Sequence, residues 1–496
     1  MILGVTLLVV LGTIIGAVLY GRAQSKARSV EEWALGGRRM GTLIFWFLNA
    51  GEIYTTFAVL GISGFAWAYG APAYLAFCSV SLSAAIGYWL MPKIWAAGRA
   101  RSLVTQADFF ADHYRARWLG VVVALVGIAA LVVYVQIQIT ALGLILRMTL
   151  GTDVSPGMAA VLAAAAMLAF VFLAGLRSAA FAAGVKDVLM LVLVIALSAT
   201  VAGIVGASSM ADVYARAQDA FPGIGKLPGL KGDSGLSTTW LMTSALNVAL
   251  ANWIFPHMFQ LSYSAATEDA IRRNAIFQPI YSLSYFFIIL LGLAALLAGT
   301  IPPDGDINAV LLQFVSDRYP PWLVGLLAGT ACLLALVPGS VLLLTAGSIF
   351  ARNVVAPLRP GLSERGGLLA SRLSMVGAAG IAVYLTLGGN RSLVEIGLSA
   401  YGAIGLLAPG VFLAFLWPRT SAVAVAGGLV AGYALLVTPP GEAWIAATFV
   451  EWEPGLVAMG AALIVTVAIS LVAPRRAGAP DTLPLTPPLA SQGETA

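Results

Sequence analysis

The sequence predicts an all-α polytopic membrane protein, and three observations support this fold class. Hydrophobic residues make up 60% of the 496 residues and charged residues only 10%, whereas about a quarter of a soluble domain is charged. Runs of about 20 apolar residues, the length that an α-helix needs to cross a bilayer, recur along most of the chain. Lysine and arginine are also distributed unequally between the loops that separate these runs.

The apolar runs predict about thirteen transmembrane helices. Their expected positions are roughly 2–20, 41–70, 72–95, 119–146, 157–175, 182–206, 239–262, 276–300, 321–350, 371–388, 394–416, 420–438 and 455–473. The first run lacks the basic segment and the small-residue cleavage site of a signal peptide, so we expect a retained helix. Residues 1–475 are predicted to form a single transmembrane domain. Residues 476–496 are rich in Pro, Ser and Thr and are predicted to be a disordered cytoplasmic tail.

The charges of the loops predict the orientation of the protein. With thirteen spans, the loops on the side of the first loop carry 20 of the 27 Lys and Arg residues, and the opposite loops carry 6. Lys186 lies within a span. The positive-inside rule then places the N-terminus outside and the C-terminus inside. We expect the bilayer to be the plasma membrane, which in a bacterium is the inner membrane.

The composition argues against several classes of function. The chain has two histidines, His113 and His257, which lie far apart, and two cysteines, Cys78 and Cys332, both within predicted spans. Metal or histidine chemistry would need more ligands at one place. The sequence also lacks a Gly-rich phosphate loop and a basic-aromatic face for nucleic acid. We therefore expect no enzyme activity, no cofactor, no certain metal site and no nucleic-acid partner; transport, or sensing on a transport scaffold, remains.

The second predicted span contains residues that interrupt a helix. Its stretch NAGEIYTTFAVLGISG (49–64) holds Glu52, Thr55 and Thr56 among three glycines. Glycine disfavours helix, and threonine hydroxyls compete for backbone groups. Non-helical backbone at membrane depth survives where it is buried in protein or lines a cavity. The stretch therefore indicates either a discontinuous helix at a binding site or a close-packed helix with small residues at its contact face.

A second interruption is predicted in the span at 239–262. The stretch NVALANWIFPHMFQLSY (247–263) contains Pro256, which removes an amide donor and kinks or breaks a helix. If the first helix is an addition, the two interruptions occupy corresponding positions in two five-helix halves. Such a pair is the best sequence indication of a transporter binding site.

Seven stretches of the chain, in family order, resemble the sodium:solute symporter family. They are EEWALGGRRMG (31–41), GISG (61–64), SLVTQADFFADHYRAR (102–117), YVQIQITALG (134–143), AGLRSAAF (174–181), PHMFQLSYSA (256–265) and SAYGAIGLLAPGVFLAFLWPRTS (399–421). The resemblance implies the LeuT-type five-plus-five inverted repeat. It would place an extra helix at 2–20, the first repeat at about 41–206, the second at about 239–416, and two further helices at about 420–473.

Within that family, residues 47–72 look most like the branch of bacterial monocarboxylate uptake permeases. This resemblance implies a secondary active, cation-coupled symporter that imports a small organic anion of the lactate, pyruvate or acetate type by alternating access. The sequence departs from the family at Leu261, where an arginine is usual. The alternatives are a sodium-coupled symporter of another solute (an amino acid, a sugar or pantothenate) and a sensor that does not transport. The substrate-binding residues expected are Thr55, Thr56, Tyr134, Gln138, Asn247, Asn252 and Trp253.

The resemblance also bears on the coupling ion, which is expected to be a proton or sodium. Carried over without gaps, the family's sodium-binding carbonyls fall on Gly51, Tyr54 and Leu334. Its pair of hydroxyl ligands falls on Val337 and Pro338, which have no side-chain oxygen, although a hard cation needs such ligands. A shift of register would recover two hydroxyl residues of the same helix, namely Ser340 and Thr345.

Two charged residues lie in this neighbourhood. By analogy with a sodium-independent transporter of another LeuT-fold lineage, Lys186 is expected to place its ammonium where sodium would bind and to exchange a proton. Glu52 would be its partner or a separate proton carrier. The alternatives are that Lys186 extends to the membrane surface or pairs with Asp187, and that Glu52 is structural. His257 could satisfy a backbone carbonyl, and Asn247, Asn252 and Trp253 could be helix-packing residues.

Overall fold

The computed structural model describes residues 1–24, 35–151, 154–173, 176–359, 361, 363–389 and 391–474. These residues are mainly helical, and an isolated β-bridge joins Met40 and Ala265. The predicted tail at 476–496 lies outside the described residues.

The helices before residue 265 contain both predicted interruptions. They are α1 (Ile2–Gln24), α2 (Thr42–Ile53), α3 (Ile62–Tyr69), α4 (Leu75–Arg101), α5 (Gln106–His113), α6 (Arg117–Leu150), α7 (Pro156–Leu173), α8 (Leu176–Ile204), α9 (Met210–Ala220), α10 (Thr238–Asn252) and α11 (Pro256–Ser264). A π-helical turn, Phe57–Gly61, precedes α3.

The helices after residue 265 complete the bundle. They are α12 (Glu268–Ser282), α13 (Ser284–Leu297), α14 (Val310–Arg318), α15 (Pro321–Ile349), α16 (Glu364–Leu387), α17 (Leu393–Gly405), α18 (Ala408–Leu416), α19 (Ala422–Val437), α20 (Pro439–Thr448) and α21 (Pro454–Val472). A π-helical turn, Phe350–Val355, extends α15.

The described residues contain nine helices that are long and apolar enough to cross a membrane, or up to twelve if each of three bent pairs is one span. The pairs are α2–α3 (bent by 47°), α17–α18 (42°) and α19–α20 (80°). The remaining predicted span, 239–262, corresponds to α10 and α11, which do not form one of these candidates. It is broken between Asn252 and Pro256, as the proline predicts.

The first interruption lies earlier than the GISG stretch suggests. Helix α2 ends at Ile53, and Tyr54 has the non-helical angles φ −92° and ψ 79°. Residues 61–64 instead lie in helical turns. The Ile62 amide donates to the Phe57 carbonyl. The Ser63 hydroxyl donates to the Val59 carbonyl at 2.6 Å, so it follows the helix.

Helix α15 is the centre of the bundle, with 94% of its apolar stretch buried. A methyl group at Gly325 would lie 2.6 Å from the Ile2 carbonyl oxygen, and one at Gly329 would lie 2.9 Å from Val9 Cβ. Helix α1 can therefore pack closely on α15 because these two positions have no side chain.

Backbone contacts cover both ends of the broken helices. The Met40 amide donates to the Ser264 carbonyl (3.1 Å), and the Ala266 amide donates to the Met40 carbonyl (2.9 Å), which ties the start of α2 to the end of α11. At the other end, a methyl group at Gly64 of α3 would lie 2.0 Å from the Ile307 carbonyl oxygen. Both ends of the α2–α3 pair are thus covered by other parts of the protein.

Candidate functional site

The first feature of the site is a buried lysine on α8. Lys186 Nζ donates to the Gly51 carbonyl (2.9 Å), the Tyr54 carbonyl (3.1 Å) and Asp187 Oδ1 (2.8 Å). Its side chain is 0% exposed. In a continuous helix the Gly51 oxygen would accept from the amide four residues later; at the end of α2 it is available to the ammonium instead.

Small residues allow this lysine to reach the interruption. A methyl group at Gly51 would lie 3.1 Å from Lys186 Nζ and 3.2 Å from Ala183 Cβ, so α2 and α8 are in close contact here. Lys186 does not extend to the surface of the protein, which was one alternative. It does pair with Asp187, which was another, and it contacts the two predicted carbonyls as well.

The remaining predicted ion-coupling residues lie in the middle of α15. Leu334, Val337 and Pro338 are buried. The two hydroxyls that a shifted register would use make other bonds: Ser340 Oγ donates to the Val337 carbonyl (2.6 Å), and Thr345 Oγ1 donates to Gln260 Oε1 (2.7 Å). The assignment of sodium ligands on this helix stays a prediction.

The second feature is a group of four packed rings beside Glu52, here called the aromatic box. The distances between ring centroids are 5.1 Å for Tyr134 and Phe255, 5.8 Å for Tyr134 and His257, 5.4 Å for Phe255 and His257, and 5.3 Å for Phe255 and Tyr401. Glu52 is 3% exposed, and its Oε2 lies 4.0 Å from His257 Nε2, beyond hydrogen-bond distance. The Tyr134 hydroxyl donates to the Glu52 backbone carbonyl at 3.5 Å. Helices α2, α6 and α11 therefore meet at Glu52, and Tyr401 of α17 joins them through its contact with Phe255.

The predicted threonines lie beside this box. Thr56 Oγ1 donates to Gln138 Oε1 (3.2 Å), and Thr55 Oγ1 accepts from the Phe57 amide (3.2 Å). All three polar side chains are buried. Among the described residues, Gln138 Nε2 has no hydrogen-bond partner. This arrangement leaves one amide donor next to the interruption.

The three predicted residues in and just after α10 point in different directions. Asn252 Oδ1 accepts from the Tyr401 hydroxyl (3.4 Å) and so adjoins the aromatic box. Trp253 Nε1 donates to the Ser83 carbonyl (2.6 Å), and the indole packs on Gly87 of α4. Asn247 lies against Gly405 and Gly455. These contacts are those of the helix-packing alternative for Trp253 and Asn247, because side chains at different positions of a helix point in different directions.

Several residues of the site were not among the candidates. Tyr54 is T-shaped to Tyr281 (4.1 Å between centroids) and stacked on Tyr285 (5.3 Å). The four-residue spacing of Tyr281 and Tyr285 was a usable signal, because such a pair shares one side of a helix. Phe255 and Tyr401 gave no comparable signal, since their contacts join helices that are distant in the sequence.

The geometry brings two polar clusters to one helix interruption. One is Lys186 with Asp187 and the two carbonyls; the other is Glu52 with His257 and Tyr134. Buried ionisable groups within the membrane mark ion or substrate pathways, and interrupted helices supply backbone groups for both. A site of this kind can hold a small solute and a cation together.

The comparisons with known proteins agree with this geometry. The profile of the sodium:solute symporter family matches residues 33–432. The chain belongs to this family. It is a multi-pass integral membrane protein and a cation-coupled solute symporter, not an enzyme.

Two similar proteins are bacterial. The chain is 34% identical to the uncharacterized symporter YhjB of Bacillus subtilis over 416 residues, which cover 83% of each protein. It is 30% identical to the monocarboxylate transport permease protein of Rhizobium johnstonii over 366 residues, which cover 72% of each.

Solved structures show the same fold. A Na⁺-coupled sialic acid symporter in a substrate-bound outward-open state superposes with a TM-score of 0.76 at 16% identity, covering 95% of this chain and 99% of the other. Mhp1, a nucleobase-cation-symport-1 family transporter, superposes with a TM-score of 0.60 at 11% identity, covering 90% and 96%. The fold is therefore that of the LeuT-fold transporters, as the sequence motifs predict.

Proposed function

We propose that this symporter imports a small monocarboxylate together with a proton, and that Lys186 takes the place of the sodium ion. The contacts of Lys186 Nζ with the Gly51 and Tyr54 carbonyls carry the proposal. These are two of the carbonyls that the family resemblance assigns to sodium.

The charge of Lys186 supports a role for the proton. An ammonium on these two carbonyls would repel a sodium ion bound to the same oxygens. Asp187 Oδ1 balances the charge at 2.8 Å. Loss of the proton would remove one of the three donors by which Lys186 binds Asp187 and the Gly51 and Tyr54 carbonyls, so proton exchange would loosen the contact between α8 and the end of α2. This gives protonation a direct effect on the helix that must move.

The backbone near the interruption supports an anionic substrate. Helix N-termini present a positive dipole end to an anion, and a helical segment begins at Phe57 directly after the interruption. The Rhizobium relative is named for monocarboxylates. The aromatic box favours a small molecule because its four rings pack against one another beside Glu52.

The arrangement in the membrane is also proposed. The first repeat would span about 41–206 and the second about 239–416, with the N-terminus outside. The interruptions at 54–56 and 253–255 would then lie in the first helix of each repeat, which is the arrangement expected for inverted repeats around a central site.

Uptake into proteoliposomes tests the function. Labelled pyruvate, lactate and acetate would be offered under an imposed proton gradient and, separately, an imposed sodium gradient. We expect uptake with the proton gradient alone, loss of uptake in Lys186→Ala, and normal uptake in the control Lys226→Ala, which alters an exposed loop lysine.

Two other outcomes have clear meanings. Uptake that depends on sodium and survives Lys186→Ala would contradict the proton mechanism and assign the ion to oxygens such as those of Ser340 and Thr345. Transport of none of the three acids under either gradient would contradict the monocarboxylate assignment.

A further inference from the structure

We propose that Glu52 binds the carboxylate of the substrate while it carries a proton, donating its O–H to the substrate oxygen. The inference rests on the proposed function, because it assumes an anionic substrate. Glu52 would then be a second titratable group of the site besides Lys186. The substrate anion and one proton would occupy the site together.

The position of Glu52 carries the proposal. It is the penultimate residue of α2, directly before the interruption, and is 3% exposed. Among the described residues its Oε2 has no hydrogen-bond partner, although it lies 4.0 Å from His257 Nε2. A buried oxygen without a partner is costly, so it indicates a ligand position.

The titratable groups around Glu52 are engaged elsewhere or are too distant. His257 Nε2, from α11, lies 4.0 Å from Oε2. The Tyr134 hydroxyl, from α6, bonds to the Glu52 backbone oxygen rather than to its carboxyl group. The Tyr401 hydroxyl, from α17, bonds to Asn252. A ligand therefore does not have to displace a hydrogen bond from Oε2.

A third set of charges comes from α8. Lys186 and Asp187 bind each other, and Lys186 also binds the carbonyls on either side of Glu52. Because the Asp187 carboxylate balances the Lys186 ammonium at 2.8 Å, the pair adds no net charge beside Glu52.

Electrostatics then determines the protonation state of the complex. Two carboxylates in contact in a buried site cannot both be ionised, whereas an acid and a carboxylate can share one proton. The Glu52 O–H would form a charge-assisted hydrogen bond, which is among the strong ones. The transferred unit is one proton and one anion, and no covalent bond other than O–H is involved.

Calorimetric binding of pyruvate to the purified protein at several pH values, without gradients, tests the proposal. If only the acid form of Glu52 binds, the apparent Kd of the wild type rises about tenfold for each pH unit above the titration of this group. Glu52→Gln keeps a donor that does not titrate, so its Kd is expected to stay near the low-pH wild-type value. The exposed control Glu451→Gln should follow the wild type.

Two results would overturn this role of Glu52. One is a Glu52→Gln variant that retains the wild-type pH slope, and loss of that slope in His257→Asn would then assign the titration to the imidazole; the other is a Glu52→Gln variant that binds pyruvate more weakly than the wild type at low pH. If neither the wild type nor Glu52→Gln binds pyruvate, lactate or acetate at any pH, the monocarboxylate assignment itself is contradicted. This result differs from a pH slope that persists in Glu52→Gln, which contradicts only the role of Glu52.

A second measurement does not depend on the folding of a variant. Infrared difference spectra of the wild type, recorded on adding ¹³C-labelled pyruvate, should show the carbonyl band of a protonated carboxylic acid in the complex. A complex without a protonated-acid band at the pH of tight binding would overturn the proposal.

Discussion

Lys186 and Asp187 form a fully buried ion pair within a membrane protein. Removing one charge of such a pair destabilises the protein more than removing both. Each charge is tolerated because the other is 2.8 Å away. Removing both charges together can be nearly neutral, whereas removing one leaves a buried charge without its partner.

Asp187→Asn is therefore predicted to lower the free energy of unfolding by about 3–5 kcal/mol, in the range seen for broken buried pairs. The thermal midpoint in detergent measures the effect. The double variant Lys186→Met with Asp187→Leu should recover much of the loss. Equal destabilisation by the single and double changes would mean that the pair is not energetically coupled.

Gly51 is the second residue whose replacement has a definite expected effect. Gly51→Ala would place a methyl group 3.1 Å from Lys186 Nζ and 3.2 Å from Ala183 Cβ, so we expect impaired uptake and a lower thermal midpoint. Gly184→Ala is the matched control, because its methyl group would make an ordinary 3.5 Å contact with Phe47. Normal uptake by Gly51→Ala would show that α2 and α8 can separate without loss of function.

The sequence indicated these residues because their chemistry is unusual for a membrane span. A lysine and a glutamate in apolar surroundings demand partners, and the family motifs supplied the carbonyls. Trp253 was less predictable, since nothing in the sequence shows that its indole binds Ser83 on α4 rather than facing the site.

At the level of the helix, the interruptions were predictable where the backbone chemistry is local. Pro256 marks the end of the second interruption because it has no amide. The first interruption was placed too broadly, because glycine at 61 and 64 permits a bend without requiring one. The bend between α17 and α18 was not predicted, although Pro409 begins the second of these helices.

Gly64 allows α3 to lie against the loop that contains Ile307. Gly64→Ala would place a methyl group 2.0 Å from a backbone oxygen, which cannot be relieved by a rotamer change. We expect this loop to be displaced and the site to open on that side.

Accessibility of Thr56→Cys to a membrane-impermeant thiol reagent measures that opening, in a background without Cys78 and Cys332. Labelling should increase in Gly64→Ala. It should change less in Gly61→Ala, where the nearest neighbour is the Leu393 side chain at 3.2 Å. No increase in Gly64→Ala would mean that this loop does not close the site.

For the whole molecule, the proposed exchange of sodium for a lysine affects stability as well as transport. A cation that binds only the folded state stabilises it by mass action. We predict that replacing choline chloride with sodium chloride leaves the thermal midpoint of the wild type unchanged.

Lys186→Ala should behave differently, because it leaves the Gly51 and Tyr54 carbonyls beside the Asp187 carboxylate. Its thermal midpoint should rise with sodium concentration, while Lys226→Ala should not respond. A sodium-dependent midpoint in the wild type would contradict the occupancy of the site by Lys186.

The enclosure of the two polar clusters has a consequence for bacterial energetics. With α2 held to α11 at one end and α3 packed against the Ile307 loop at the other, Lys186 and Glu52 are 0% and 3% exposed. We therefore expect a proton on either residue to exchange with water only when these helices move, which limits proton leak through a protein without substrate. Limiting this leak preserves the ion gradient, so that it is available to drive uptake when the substrate is present outside the cell.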